Sequence, residues 1–533
     1  MKLDLSAILK KGNWVYFIGI KGTGMCALAE LFHNRGLLVS GSDTEEKFYT
    51  DDILKEMGIH FYESFDASHI KTPPPFPRGA SASVDKPQRL QPDLVVYSAA
   101  YSPETGSVAT NAEVAETQRL GIPLVKYTDA LGEYSSLFDS TGVTGVHGKT
   151  TTTALAGTML RGVGLPAQAL VGSAVGVFGG RSTFDQGNKY FVAETCEYRR
   201  HFLSFHPKRI ILTSVESDHQ DYYPTYESIR DAFIEYGSLL PDGGQLIYSA
   251  DDPGAVEVAL ALKKEKPEIN IIPYGFNANG EYKIEMFEVR DEMFVMRIQG
   301  FPLELKMRVP GKHTAVNTAA AFALCSSLVR QEYGDRTNDG WNDERGKKLV
   351  SALEEFTGSK RRSEILGEAN EILFMDDYAH HPTAIKTTLE GLKDFYPKRR
   401  LIASFMSHTY TRTATLLDEF ASSFEKADII LLHKIYASAR EVYSGGVNGK
   451  TLFEKVLETG KKDVFYTHEP LDAYELVKSM LRPGDLFITM GAGDNWPLGQ
   501  KLFKFFSREG EPSSGSDACS PKEKPHSCFA GAL

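Results

Sequence analysis

The chain has 533 residues, of which 42% are apolar, and a formal net charge of −11, enough for three or four domains at roughly 100–200 residues each. The acidic balance excludes a broad basic face for nucleic acid, and no apolar run approaches the ~18–20 residues that span a bilayer. The five cysteines, at positions 26, 196, 325, 519 and 528, show neither disulfide nor metal-ligand spacing, and Asp4, Lys10 and Lys11 interrupt the N-terminal apolar stretch before it can read as a signal peptide. A reducing, cytoplasmic compartment is therefore expected.

Residues 14–20 read as a buried strand that runs into a glycine turn and a helix over 25–34. A second strand over 36–43 ends in Asp43, and others follow at 93–98 and 122–126. Strand–helix alternation predicts a parallel sheet with helices on both faces. The stretch 71–92 is rich in Pro, Gly and Ser and reads as a surface insertion. A second unit starts near Leu137, with further strands at 190–194, 209–213 and 245–249. Alternating patterns over 282–309 predict a small antiparallel patch, 311–330 a long helix, and 335–348 a polar outward loop. A third unit starts near Phe356, with strands at 372–377, 401–406, 428–432 and 485–490. From Ser507 onward, Ser, Pro, Gly and Lys dominate, which predicts a disordered tail. The expected fold is α/β in three domains: Rossmann-like over 1–135, a central P-loop mononucleotide-binding domain with a small antiparallel sheet over 136–355, Rossmann-like again over 356–506, and the tail 507–533.

The segment 144–153 carries the most chemistry. Gly145, His147, Gly148, Lys149, Thr150 and Thr151 lie between a strand and an apolar helix. Such a turn cradles phosphate: backbone N–H groups and the helix dipole face the anion, the lysine reaches the terminal phosphates and the threonine binds magnesium. Val143 stands where the full P-loop pattern has glycine. Glu194 and His219 follow later strands, so a parallel sheet brings them to the same crevice, a carboxylate for Mg2+ and an imidazole for a second ion. Taken singly, a helix cap and a surface histidine would explain them. The first unit has Gly19, Gly22, Thr23 and Gly24 at a strand–helix turn, with Asp43 placed to hold a ribose hydroxyl, but Lys21 occupies the second glycine position of the dinucleotide fingerprint. The third unit gathers Arg361, Arg362, Asp377, His380, His381, His408 and Arg412 near strand ends. Paired arginines suit phosphate or carboxylate, with a solvated basic face as the plainer alternative. Of the adjacent histidines, one is expected to meet substrate and the other to pack or cap a helix.

In this order the motifs resemble those of the Mur ligases over about residues 14–493. The resemblance rests on the first glycine loop through Met25, on the ATP loop 145–153, on Glu194 and His219, on 311–320 with Asn317, and on Arg361, Arg362, 377–383 and 408–413. Two departures stand out, Lys21 for glycine and Thr314 for asparagine. The resemblance implies that the first domain binds a UDP sugar through Gly19, Gly22, Thr23, Gly24, Met25, Asp43 and Ser98. It implies ATP at Gly145, His147, Gly148, Lys149, Thr150, Thr151, Asn317, Arg361 and Asp377, with Mg2+ on Thr150, Glu194 and His219, and with Lys149, Glu194 and His219 as catalytic residues. The last domain would close over both and bind the amino acid through His380, His408 and Arg412. The implied reaction joins L-alanine to UDP-N-acetylmuramate through an acyl phosphate, in peptidoglycan precursor synthesis, by a monomer or weak dimer. A murein tripeptide is the near alternative to alanine. A nicotinamide-dependent oxidoreductase and a non-catalytic nucleotide-binding regulator are the rivals of other classes.

Overall fold

The computed structural model describes residues 8–73, 91–101, 111–220, 222–334, 341, 343–437, 441, 443, 445–491 and 493–509. Most of the expected insertion at 71–92, from 74 to 90, and the tail from 510 on lie outside these residues.

The first sheet holds β1 (Trp14–Ile18), β2 (Leu38–Ser42), β3 (His60–Tyr62), β4 (Leu94–Tyr97) and β5 (Leu124–Lys126), all parallel, in the order β3-β2-β1-β4-β5. β1 is buried throughout, as a central parallel strand covered on both faces must be. It stops two residues short of the apolar run, because Gly19 turns the chain at φ 86°. The strand order reverses between β1 and β4, so the crevice of this sheet opens above the glycine turn.

The central sheet comprises β6 (Asp139–Thr144), β7 (Ala167–Val175), β8 (Arg181–Asp185), β9 (Tyr190–Glu194), β10 (Arg209–Leu212), β11 (Gln245–Ser249) and β12 (Asn270–Tyr274). Its order is β12-β11-β10-β6-β9-β7-β8, parallel except for β8, which pairs antiparallel with β7. β6 lies in the middle and feeds the helix Lys149–Gly162. That helix packs on the helix Lys312–Tyr333, whose buried face is rich in small residues (Ala315, Ala319, Ala320, Ala323) and so permits close approach. The expected antiparallel patch is present as β13 (Ile284–Arg290), β14 (Met293–Ile298) and β15 (Leu305–Met307). The polar stretch 335–348 does not simply loop outward: a helix runs over Asp343–Glu354. Its Leu349 and Leu353 are fully buried in the central core, and burial of that narrow stripe outweighs the polar composition.

The last sheet contains β16 (Glu364–Ala369), β17 (Ile372–Asp377), β18 (Arg400–Phe405), β19 (Ile429–Leu432), β20 (Val464–Tyr466) and β21 (Asp485–Met490). The order is β16-β17-β21-β18-β19-β20, with β16 the one antiparallel edge. The final helix, Trp496–Glu509, carries Phe506 into the core of this sheet, so the first residues of the expected tail are helical.

The apolar cores cross the domain borders. One runs from the central helix Lys149–Gly162 to Leu389, Leu392 and Phe395 of the C-terminal helix Pro382–Phe395. There the backbones nearly touch: a Cβ at Gly391 would lie 2.7 Å from Gly311 Cα. A second core joins the first helix, Thr23–Asn34, to the central domain, where Arg181 also pairs with Glu30 at 2.9 Å. Among the described residues no helix is long and apolar enough to cross a membrane.

Candidate active site

The loop after β6 owes its shape to two glycines. Gly145 has φ 134° and Gly148 φ 80°, values that side chains rarely adopt. A Cβ at Gly145 would collide with Thr213 and come within 2.8 Å of Ser214 N, and one at Gly148 would lie 2.7 Å from Asn317 Oδ1. Ser214 fixes the loop by accepting from Val146 N at 3.0 Å and, through its hydroxyl, from His147 N at 2.9 Å. The helix Lys149–Gly162 begins at Gly148 with no side-chain cap, so its first N–H groups and dipole are directed at the cleft.

Lys149 folds back over this loop. Its Nζ donates to Gly145 O and Val146 O and pairs with Glu197 Oε2 at 2.9 Å. Burial alone would lower its pKa, but the Glu197 charge holds the ammonium above its usual range. Burial likewise works to raise Glu197, yet Lys149 and His219 together keep that carboxyl below its ordinary value. His219 Nε2 lies 3.4 Å from Glu197 Oε1. His219 itself has φ 53°, a left-handed conformation that side chains adopt mainly where the surroundings enforce it.

Glu197 is the carboxylate in direct contact with Lys149 and His219. Glu194 closes β9, and its Oε2 accepts from Gly172 N on the neighbouring strand at 2.9 Å. Its charge still acts on Lys149 and helps hold that ammonium above its usual range. The signal available in the sequence was the second acid, Glu197, just past the strand end.

The C-terminal domain closes the opposite side. Arg412 Nη2 donates to Asp218 Oδ1 at 2.6 Å, with both side chains about 7% exposed. Burial would raise the Asp218 pKa, and the Arg412 guanidinium overrides it and holds that carboxyl far below its usual range. Arg412 Nη1 stands 3.3 Å from His408 Nδ1, and the His408 ring is perpendicular to that of His380 at 5.8 Å. Burial, then Arg412, pushes the His380 pKa well down, so this imidazole is neutral at ordinary pH. The three residues expected to meet the amino acid therefore form one cluster.

Other expected residues fall differently. Arg361 gives its Nε to Asp376 Oδ2 at 2.9 Å and its Nη2 to Gly491 O at 2.8 Å, so its fork is anchored within its own domain, while Arg362 lines the cleft. Asp377 lines the cleft too, but its carboxylate already accepts from Ser363 N at 2.6 Å and Ala379 N at 2.7 Å. Asp43 accepts from Lys21 N at 2.7 Å and Thr44 N at 2.8 Å, one bond to each carboxylate oxygen. Lys21 is buried and locked: its Nζ donates to Thr44 O and Glu46 O, each at 2.9 Å, and pairs with Asp51 at 3.3 Å. Thr23 accepts from Tyr49 OH at 3.2 Å, Gly24 packs under Tyr127, and Met25 is buried. The first glycine loop, with Gly19 and Gly22, sits at the carboxyl end of its sheet, and Ser98 and Lys126 carry that domain into the cleft. Thr314, where the resemblance has asparagine, returns its hydroxyl to Pro310 O at 2.9 Å.

Together the three domains enclose a cleft of about 1880 Å³ lined by Ser98, Lys149, Glu197, His219, Asn317 and Arg412 among others. Thr150, Glu197 and His219 supply a hydroxyl, a carboxylate and an imidazole around the phosphate loop, a donor set that fits a divalent cation. The arrangement defines a three-domain phosphate-loop protein in which the C-terminal domain brings His380, His408 and Arg412 to the cleft. Its sequence matches family models over three consecutive segments: Mur ligase family, catalytic domain, residues 15–139; Mur ligase middle domain, residues 143–325; and Mur ligase, glutamate ligase domain, residues 361–493.

The chain belongs to the Mur ligase family. It is 47% identical to the UDP-N-acetylmuramate–L-alanine ligase of Treponema pallidum (strain Nichols) over 93% of this chain and 98% of that one. It is 36% identical to the enzyme of the same name from Borreliella burgdorferi, over 93% and 99%. Among solved structures it resembles the UDP-N-acetylmuramate-alanine ligase of Thermotoga maritima, with a TM-score of 0.68 at 22% identity over 93% of this chain and 99% of that one. A murein peptide ligase from Psychrobacter arcticus gives 0.61 at 22% identity, over 93% and 99%.

Proposed function

We propose that this chain joins L-alanine to UDP-N-acetylmuramate at the expense of ATP. The observation that carries the reading is the meeting, in one cleft, of Lys149 on the phosphate loop with Glu197 and His219 beside it and the Asp218–Arg412 pair closing from the C-terminal domain. The names of the relatives above favour alanine over a tripeptide as the amine.

In this mechanism the muramoyl carboxylate attacks the γ-phosphorus, the bond to ADP breaks, and an acyl phosphate forms. The alanine amine then attacks the acyl carbon, a proton leaves the nitrogen, and inorganic phosphate departs. The first step brings two anions together, so its barrier falls chiefly through charge neutralisation. Lys149 swings from its own loop to the β- and γ-phosphates, and the loop amides orient them. Thr150, Glu197 and His219 would hold a Mg2+ ion, which would supply screening of the phosphate charge. Asn317, against Gly148, sets the nucleotide end of the loop. The Arg412 guanidinium directs the alanine carboxylate, and neutral His380 stands by the amine as an acceptor for its proton. The Asp218–Arg412 contact keeps water from the acyl phosphate, which it would hydrolyse. The three segments 1–135, 136–355 and 356–506 serve sugar, nucleotide and amino acid in turn.

The test is phosphate release with UDP-N-acetylmuramate, ATP and Mg2+ across an amino-acid panel. Release that depends on alanine and yields UDP-N-acetylmuramoyl-alanine supports the reading. Release only with murein tripeptide, or none with any amine, refutes it.

A further inference from the structure

His147, Glu216 and His381 converge at the border between the central and C-terminal domains. Their ligand-type atoms all lie within 4.8 Å of one another. His147 belongs to the phosphate loop, Glu216 to the segment after β10, and His381 is the N-cap of the helix Pro382–Phe395. His147 Nε2 and Glu216 Oε1 pair at 2.5 Å, and Glu216 Oε2 accepts from Thr383 Oγ1 at 3.1 Å. His381 is 5% exposed, and its Nε2 has no hydrogen-bond partner among the described residues. Its ring lies 5.1 Å from that of His147. A buried polar atom left without a partner is costly and is normally matched by a group, a water or an ion.

We propose that these three residues form a site for a zinc-class divalent cation, bridging the phosphate loop and the C-terminal domain, that is separate from the Mg2+ ligands of the nucleotide. Two imidazoles and one carboxylate are a borderline-soft donor set, with a fourth position left for water. Magnesium prefers an all-oxygen shell and is a poor match. Ligand atoms around one tetrahedral zinc sit about 3.3 Å apart, so modest side-chain rotations complete the geometry. Burial, then nearby His147, pushes the His381 pKa down to about 4, which leaves its ring neutral, as a ligand must be. Coordination through Nε2 places the ring proton on Nδ1. It gives up only the contact with Thr383 N at 3.4 Å, a weak cap at the long edge of hydrogen-bond geometry. Because the ligands come from two domains, the ion binds fully only when the cleft is closed. Nothing in the proposal depends on which amide the enzyme makes.

The experiment uses the full metal-stripped chain without nucleotide, in excess Mg2+ to fill oxygen-rich sites, titrated with Co2+ as a spectroscopic probe. One equivalent should bind with the visible absorption of a nitrogen-ligated ion and be displaced by Zn2+. His381→Asn keeps a cap acceptor and should lose at least about 100-fold in Co2+ affinity. Glu216→Gln, nearly isosteric, should do the same, with far-ultraviolet circular dichroism confirming that both fold. No Co2+ spectrum with the wild type, or wild-type affinity in both variants, overturns the proposal. Loss of ligase activity with intact Co2+ binding would count against the functional reading alone.

Discussion

The two glycine turns of this chain share one plan, strand, glycine turn with a lysine, helix, and put the lysine to opposite uses. At the first turn Lys21 points away from the crevice. Its ammonium is buried among Thr44 O, Glu46 O and Asp51, with Phe61 beneath it at 5.3 Å. At the second, Lys149 lies over its own loop and faces the cleft through Glu197. In the first the charge ties a loop to the fold; in the second it waits for an anion. The two turns share a glycine pair three residues apart, but Lys21 precedes the second glycine and Lys149 follows it, and the carboxylates and carbonyls around them differ as well.

Breaking each lysine should therefore give different phenotypes. Lys149→Ala is expected to lower phosphate release by at least about 10³-fold, since it removes a charge from the transferring phosphoryl group, while UDP-sugar affinity measured by calorimetry stays within a few-fold. Lys21→Ala should instead act on the fold. Stranding the buried Asp51 carboxylate costs on the order of 3–5 kcal/mol, read as a drop in the urea midpoint. If Lys21→Ala abolished turnover without loss of stability, the contrast would collapse.

The two acids past β9 sharpen the same contrast. Glu197→Gln, beside Lys149 and His219, is expected to reduce turnover about 10²-fold or more, with weaker Mg2+ dependence. Glu194→Gln keeps an acceptor for Gly172 N and should cost under about tenfold. Equal effects, measured side by side at saturating Mg2+, would show that the strand end and the cleft are not distinct.

A smaller effect concerns pH. Burial pushes His313 and His433 down to about 4, and burial with His147 does the same to His381. Unfolded imidazoles take up protons near pH 6.5, whereas these resist until about 4, so the unfolded chain binds more protons in that window. Stability should fall as pH drops from about 6.5 towards 4, and His433→Gln should flatten the slope of urea midpoint against pH. The Asp218–Arg412 closure has the same sign in a more acidic window: with the Asp218 pKa depressed, its contribution is intact above the ordinary carboxylate range and is lost progressively as pH falls from that range towards the folded value.

Much of this was legible in the chain. The apolar runs of β1, β10 and β21 announced buried parallel strands, and the alternation over 282–309 announced the antiparallel sheet. The motifs at Lys149, His219, His380, His408 and Arg412 pointed to residues that meet in one cleft. What stayed hidden depended on direction rather than identity. A strand end does not say that Glu194 will bond a neighbouring strand's Gly172 N–H while Glu197 contacts Lys149. Nor does a pair of arginines say that Arg361 will be held by Asp376 while Arg362 lines the cleft. The helix Asp343–Glu354 was missed because its large fully buried side chains are Leu349 and Leu353, too narrow a stripe to stand out from charged neighbours.

The near-contact of Gly391 with Gly311 carries one last consequence. With a Cβ at 391 only 2.7 Å from a backbone carbon of the other domain, a single methyl group there would act as a doorstop. The C-terminal lobe would rest ajar by a fraction of an ångström to an ångström or so, Arg412 would lose its grip on Asp218, and water would reach the very bond the enzyme must keep dry. The smallest residue in the chain thereby sets how tightly the lid can shut.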